Sequence, residues 1–274
     1  MNFMFWNIKG KSSFFDLICE LVRDNGIGVL MLAEFPNAKQ QELEKMLCSC
    51  VGTFRYLKPI KSKVKVEVFT SLPSNCLRII EDESRFSVVQ YHSRNLNKDF
   101  NIFMCHLISK INNSEYNQSH GARELADAIN RVEDRLNSDL SIVCGDLNMN
   151  PFEEGLVGSD CLNAVMSKVE ASKVTRKVSG KDYKMFYNPM WSFMGDNGRG
   201  VVPGTIYHNP YQHMQYYWNI FDQVLIRPSV IPFFVDRYLD ILTCSKSKGL
   251  LTVNHTLKGI YSDHLPIKFS IKNK

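Results

Sequence analysis

The sequence predicts an α/β fold in which strands outnumber helices. Three observations predict it. Short apolar runs, read as strands, occur near both ends of the chain and through its middle. Amphipathic stretches at helical spacing lie between them. No Pro/Gly/Ser-rich linker and no solenoid-length repeat divides the 274 residues, so the expectation is one domain over residues 1–274.

Composition narrows the class. With 44% hydrophobic and 22% charged residues, the chain has the make-up of a globular protein. No apolar run approaches the ~20 residues of a membrane span. The formal charge of +5, from 33 basic and 28 acidic residues, is compatible with a polyanionic substrate without requiring one. The eight cysteines are scattered, and the one-residue gap of Cys48-Ser49-Cys50 is not a zinc spacing. Cys19, Cys105 and Cys144 sit in apolar runs and read as small core residues. Met1 to Asn7 shows no basic n-region and no cleavage pattern, which predicts no signal peptide and a reducing cytoplasm. The Asn-x-Ser/Thr triplets at Asn112 and Asn254 are then chance matches.

The elements follow in order. Residues 2–8 read as a strand ending in Trp6-Asn7. Ser13 starts a helix with Asp16 as capping-box partner, Leu17, Ile18, Leu21 and Val22 on its inner face, and Asn25-Gly26 as its stop. Residues 27–33 form a buried strand closed by Glu34, and 38–50 a second helix. Strands are expected at 53–58, 64–70, 76–81, 86–91 and 100–107. Lys58, Lys61, Lys63 and Lys65 cluster here and read first as a solvated face, with a nucleic-acid contact as the alternative or an added role. A long helix is placed at about 120–137, with Ala122, Leu125, Ile129, Val132 and Leu136 on one stripe. After a strand at 140–146, short helices are expected near 153–157 and 160–168. From 183 to 218 aromatics crowd together, including Tyr207, Tyr211, Tyr216, Tyr217 and Trp218. They either pin the loops to the core or serve a site. Strands at 219–226 and 267–271 close the chain, with a helix or strand near 234–242 and a polar loop at 244–250 between them.

The stretch Ile142 to Pro151 is central. Its apolar run breaks at Gly145 and sets Asp146 and Asn148 two residues apart. In an extended chain both would face one pocket. A carboxylate there suits a hard metal ion or a nucleophilic water, and an amide suits a phosphate oxygen. Polar residues close the other apolar runs too: Asn7, Glu34, His106, Asp222, and Asp263 with His264. Buried without purpose, so many would cost stability.

In order and spacing these pieces resemble the endonuclease/exonuclease/phosphatase superfamily, the fold of deoxyribonuclease I. The matching stretches are Trp6-Asn7-Ile8, Ala33-Glu34, His106-Leu107-x-Ser109, Gly145-Asp146-Leu147-Asn148, Ile220-Phe221-Asp222-Gln223 and Ser262-Asp263-His264-Leu265-Pro266. They cover nearly the whole chain. Lys9 stands where abasic-site endonucleases carry Asp, and His106 where they carry Tyr. The pattern is nearer the deoxyribonuclease I and tyrosyl-DNA phosphodiesterase branches.

The resemblance implies a four-layer α/β/β/α sandwich of two mixed, mostly antiparallel sheets with helices outside. It also implies roles. Glu34 and Asn7 would bind Mg²⁺ or Mn²⁺, supported by Asp263. Asp146 would orient the attacking water and Asn148 hold a phosphate oxygen. His264, oriented by Asp222, would lie in line with the scissile bond, and His106 would contact the phosphate. Arg123 and Ser109 are substrate-binding candidates. The implied activity is a metal-dependent phosphodiesterase, foremost a nuclease acting on DNA or RNA. The alternatives are a phosphatase or phosphodiesterase on a small molecule or lipid headgroup, and a non-catalytic binding module.

Overall fold

The computed structural model describes residues 1–61, 64–110, 113–209, 213 and 215–272. Strands β1 (Asn2–Asn7) and β2 (Val29–Ala33) flank helix α1 (Phe15–Asp24). Helix α2 (Gln40–Val51) precedes β3 (Arg55–Leu57), β4 (Val66–Thr70), β5 (Leu77–Asp82), β6 (Phe86–Ser93) and β7 (Lys98–His106). Helix α3 (Glu115–Leu136) leads into β8 (Ser141–Asp146). Next come α4 (Glu154–Val157), β9 (Ala164–Val165), α5 (Lys168–Ala171), β10 (Thr175–Val178), β11 (Lys181–Lys184) and β12 (Phe186–Tyr187). The chain closes through β13 (Ile206–Tyr207), β14 (Trp218–Asn219), β15 (Asp222–Ile226), β16 (Asp240–Ile241) and β17 (Ile267–Ser270).

Two large sheets result, in the orders β16-β17-β1-β2-β4-β3 and β5-β6-β7-β8-β15-β12-β9. Pairing is parallel between β1 and β2, β7 and β8, and β9 and β12, and antiparallel elsewhere. Side-chain alternation explains the layering. In the second sheet Ile102, Met104, Ile142, Cys144, Val224 and Ile226 join the core shared with the first sheet. Their neighbours Phe103, Cys105, Val143 and Leu225 pack with Leu125, Ile129 and Val132 of α3. Phe3 of β1 meets Tyr91 of β6 edge-on at 5.6 Å, so these faces touch. Trp6 points the other way, onto Phe14 just ahead of α1 at 5.0 Å. The molecule is therefore the α/β/β/α sandwich, with α1 and α2 outside one sheet and α3 outside the other.

Several local expectations are corrected. Helix α1 has Phe14 at its N-cap and so no side-chain cap, and Asp16 pairs with Lys248. The 244–250 loop is a clasp on that helix: Glu20 accepts from Ser245 and Ser247 at 2.8 and 2.5 Å. Helix α3 begins at Glu115, capped by Ser114, five residues before the expected start. Residues 160–167 are not helical; Ala164 and Val165 pair with β12, and α5 starts only at Lys168. Strand β8 runs through Gly145 to Asp146 without breaking. Lys58, Lys61 and Lys65 are exposed, and Lys61 pairs with Glu83 at 3.0 Å. Lys63, Tyr211 and Asn112 lie outside the described residues. Among the described residues no helix is long and apolar enough to cross a membrane.

Candidate active site

The strand register assembles the site. His106 lies opposite Asp146 in the β7–β8 ladder, and Asp146 lies opposite Asp222 in the β8–β15 ladder. The three residues sit side by side at one end of the second sheet. Each continues the row of its strand that faces the first sheet, after Met104, Cys144 and before Val224. Asn7 ends the facing strand of the first sheet, paired with Ala33, and Glu34 follows directly. The site is thus the mouth of the gap between the sheets.

Distances show what converges. The Asn7 amide nitrogen donates to Glu34 Oε1 at 3.0 Å and to Asp146 Oδ2 at 3.1 Å. His106 Nε2 lies 3.6 Å from the same Glu34 oxygen and 3.8 Å from Asp146 Oδ2. His264 Nδ1 is bonded to Asp222 Oδ2 at 2.7 Å, and its Nε2 faces Asp146 Oδ2 at 3.8 Å. Asp222 and Asp146 are buried, whereas the Glu34 side chain is 43% exposed and open to solvent.

The local backbone is built for this. Gly145 has φ +152°, and a Cβ there would meet the Cys105 carbonyl oxygen at 2.0 Å. Only glycine lets β7 and β8 close up beside Asp146. Asn148 does not share an extended chain with Asp146. It turns into the left-handed region (φ +53°), its N–H donates to Asp146 Oδ1 at 2.9 Å, and its amide donates to the Leu107 carbonyl at 3.2 Å. Glu34 is also left-handed, at φ +48°, a conformation that costs a non-glycine residue about 1–2 kcal/mol. Its carbonyl accepts from Gly10 N–H at 2.8 Å, which holds the turn.

His264 is anchored from three sides. Trp6 Nε1 donates to its carbonyl at 2.8 Å, Ser262 Oγ accepts from its N–H at 3.1 Å, and Ser262 Oγ donates to the Asn7 carbonyl at 2.6 Å. Burial alone would lower the imidazole pKa. Asp222, Asp146 and Asp263 outweigh it and raise it from 6.5 to about 10. Burial pushes the Asp222 carboxyl up, against the pull of His264. The surrounding carboxylates thus favour the protonated, imidazolium form of His264.

The remaining candidates separate. Asp263 pairs with Lys9 at 2.5 Å. Burial would raise its carboxyl, but Lys9 and His264 hold it below the ordinary value. Its charge is answered by the side chain that replaces the expected Asp at position 9. Arg123 shares no ion pair with the cleft; Asp160 at 2.6 Å and Glu154 at 3.6 Å hold it outside α3. The Ser109 carbonyl accepts from Asn113 at 3.1 Å, three residues beyond His106. Two supporting residues went unread. Gln118 donates to the carbonyls of Ile108 and Asn148 at 3.1 and 2.7 Å. Thr205 Oγ1 accepts from Asp222 N–H at 3.1 Å, and its carbonyl from Leu265 at 2.7 Å. Neither carried a sequence signal, since both act only through tertiary contacts.

The donor set fits a hard divalent cation. Asn7 Nδ2 sits between two carboxylate oxygens, where a positive centre would be attracted. The Asn7 amide oxygen accepts from the Lys9 N–H at 3.1 Å, so the oxygen donors facing that point are the Glu34 and Asp146 carboxylates, which suit a hard cation. Asp146, Asp222 and His264 also place ligand atoms within 4.8 Å of one another. There, however, the imidazolium already answers the Asp222 charge.

No family model and no curated protein matches the sequence. Solved structures do match. The human Nocturnin catalytic domain with bound sulfate superposes with a TM-score of 0.57 at 15% identity, over 99% of this chain and 94% of that one. A mannosyl-6-phosphatase from Bacteroides thetaiotaomicron gives 0.58 at 12% identity, over 99% of both chains. TDP2 from D. rerio, complexed with single strand DNA product, gives 0.56 at 15%, over 99% of this chain and 98% of that one. Further neighbours are described as endonuclease/exonuclease/phosphatase family proteins. The chain has the fold of that superfamily.

Proposed function

We propose that this chain, folded as endonuclease/exonuclease/phosphatase proteins are, is a Mg²⁺- or Mn²⁺-dependent phosphodiesterase, a nuclease hydrolysing nucleic-acid phosphodiesters by in-line water attack. The observation that carries the proposal is the row His106–Asp146–Asp222 facing Asn7 and Glu34 across the gap, with His264 bonded to Asp222. A binding module would gain nothing from so many charges concentrated at a buried cleft.

Each residue then has a task. Glu34 and Asn7 hold the cation, whose charge would offset that of the phosphate and the leaving oxygen. Asp146 accepts a hydrogen bond from the attacking water and orients it. Asn148 keeps one amide hydrogen on Leu107 and offers the other to a phosphate oxygen. His264, protonated by its carboxylate neighbours, donates from Nε2 to the phosphate. His106 Nε2 approaches from the facing side and stabilises leaving-group charge. No covalent enzyme intermediate is required.

A second reading, a phosphatase acting on a small phosphoester, is favoured by the equal fold similarity to the mannosyl-6-phosphatase. One panel decides: single- and double-stranded DNA, RNA, a tyrosyl-DNA adduct, and sugar, inositol and sphingomyelin phosphoesters, each with and without Mg²⁺. Glu34→Gln is expected to raise the Mg²⁺ concentration needed for activity and to leave the fold intact. Unchanged activity at limiting Mg²⁺ removes Glu34 from the cation site.

A further inference from the structure

The stretch 168–184 carries six lysines and arginines against two acids, a local net charge of +4. Most of it forms the ribbon β10–β11, which hydrogen-bonds to neither large sheet. Seven of its eight strand residues are exposed; Tyr183 is the half-buried one.

Cross-strand pairing sorts the ribbon into two faces. Arg176 lies opposite Tyr183 and Val178 opposite Lys181, so these four share one face. The Lys181 ammonium sits 4.9 Å from the Tyr183 ring centroid. Among the described residues Arg176 and Lys181 have no carboxylate partner, and Arg176 donates to the Val157 carbonyl at 3.2 Å. On the other face Lys184 is spent on Glu133 at 3.1 Å, and Lys177 reaches Asp182 at 3.9 Å. One face is therefore internally neutralised. The other presents an aromatic ring between two uncompensated cations.

Its place in the fold is also defined. Strand β12, which continues from the ribbon, pairs antiparallel with β15 with Tyr187 opposite Ile226. The ribbon is thus rooted at the Ile226 end of β15, and the cleft lies at the Asp222 end, about 14 Å away at ~3.4 Å per residue.

We propose that the Arg176–Tyr183–Lys181 face is a second nucleic-acid docking surface, separate from the cleft, that holds the backbone of a single strand several nucleotides from the scissile bond. A ring flanked by cations suits single strands, since every base offers a face for stacking and every nucleotide a phosphate. The choice of nucleic acid over other polyanions rests on the nuclease reading of the cleft. The consequence is a length dependence: only a strand long enough to span both places gains from the ribbon.

The test uses the full chain carrying Arg176→Glu with Lys181→Glu, and separately Tyr183→Ala. These positions are peripheral, and thermal melting checks that the variants fold. Binding to a long single-stranded oligonucleotide is measured by fluorescence anisotropy across a salt series. The double variant should lose about tenfold or more in affinity, and its log–log salt slope should drop by about 1.4, at about 0.7 per phosphate contact. Tyr183→Ala should lose affinity with little change in slope. Cleavage of a dinucleotide should match the wild type, while KM for the long strand rises. Unchanged affinity and slope overturn the proposal. So does loss of binding to anionic phospholipid vesicles with oligonucleotide binding intact, which would make the ribbon a membrane dock. Failure of the wild type to cleave any phosphodiester, with ribbon-dependent binding retained, would defeat the nuclease reading and leave the docking surface standing.

Discussion

His264 draws its properties from its neighbours. Bonded to Asp222 at 2.7 Å and facing Asp146, it is held as an imidazolium in a nearly closed site. His264→Ala should lose about 10²–10⁴ in kcat with little change in substrate binding. Asp222→Asn should lose less, because the ring remains but is poorly aimed, and His106→Ala should fall between them. Steady-state kinetics on whichever phosphodiester is cleaved checks this order. The same charge makes a stability prediction for protein kept in chelator. The folded pKa of His264 is raised from 6.5 to about 10, so its contribution is fully present below 6.5 and lost as pH rises through about 10. Urea midpoints should fall across that interval in the wild type and fall less in His264→Gln. A midpoint equally steep in both would show that the pair is not ionised as described.

At the scale of elements, the candidate site depends on how closely β7 and β8 approach. Gly145 faces the Cys105 backbone with no room for a methyl group. Gly145→Ala should therefore cost about 2–4 kcal/mol and lower activity, because relief must come from moving the strand that carries Asp146. A near-neutral denaturation result would mean that the strands part at no cost. Elements were legible in the sequence wherever local pattern decides them. Apolar runs closed by polar residues mark β1, β2, β7, β8, β15 and β17, and the ends of those runs are the candidate site. What stayed hidden depends on pairing. The register that sets His106, Asp146 and Asp222 abreast is a property of two ladders, not of any one strand. The capping box at Ser13 did not form because the helix begins one residue later, with Phe14 at its N-cap, and Asp16 pairs instead with Lys248, far along the chain. Arg123 read as a substrate contact only because Asp160 and Glu154 could not be seen beside it. The ribbon's lysines were overlooked for a similar reason, since only cross-strand pairing shows which of them are spent.

Across the whole molecule, the cleft divides its labour between the sheets: Asn7 and Glu34 come from one, His106, Asp146 and Asp222 from the other. A cation held at Glu34 and Asn7 beside Asp146 would tie the two halves together. Thermal melting should then move upward with Mg²⁺ and return on chelation, by about 2.7 kcal/mol at a hundredfold excess over Kd, and Glu34→Gln should reduce the gain. A melting point indifferent to Mg²⁺ would argue against a cation at this place. The first sheet also joins the two ends of the chain: β1 lies between β2 and β17, and Trp6 bonds the carbonyl of a residue 258 positions later. This has a consequence during synthesis. While the ribosome is still adding the last strand, β1 has one open edge and the cleft lacks its histidine. A chain lacking β17 can therefore shelter much of its core while the candidate site is still incomplete, and its exposed edge calls for protection from pairing with other chains.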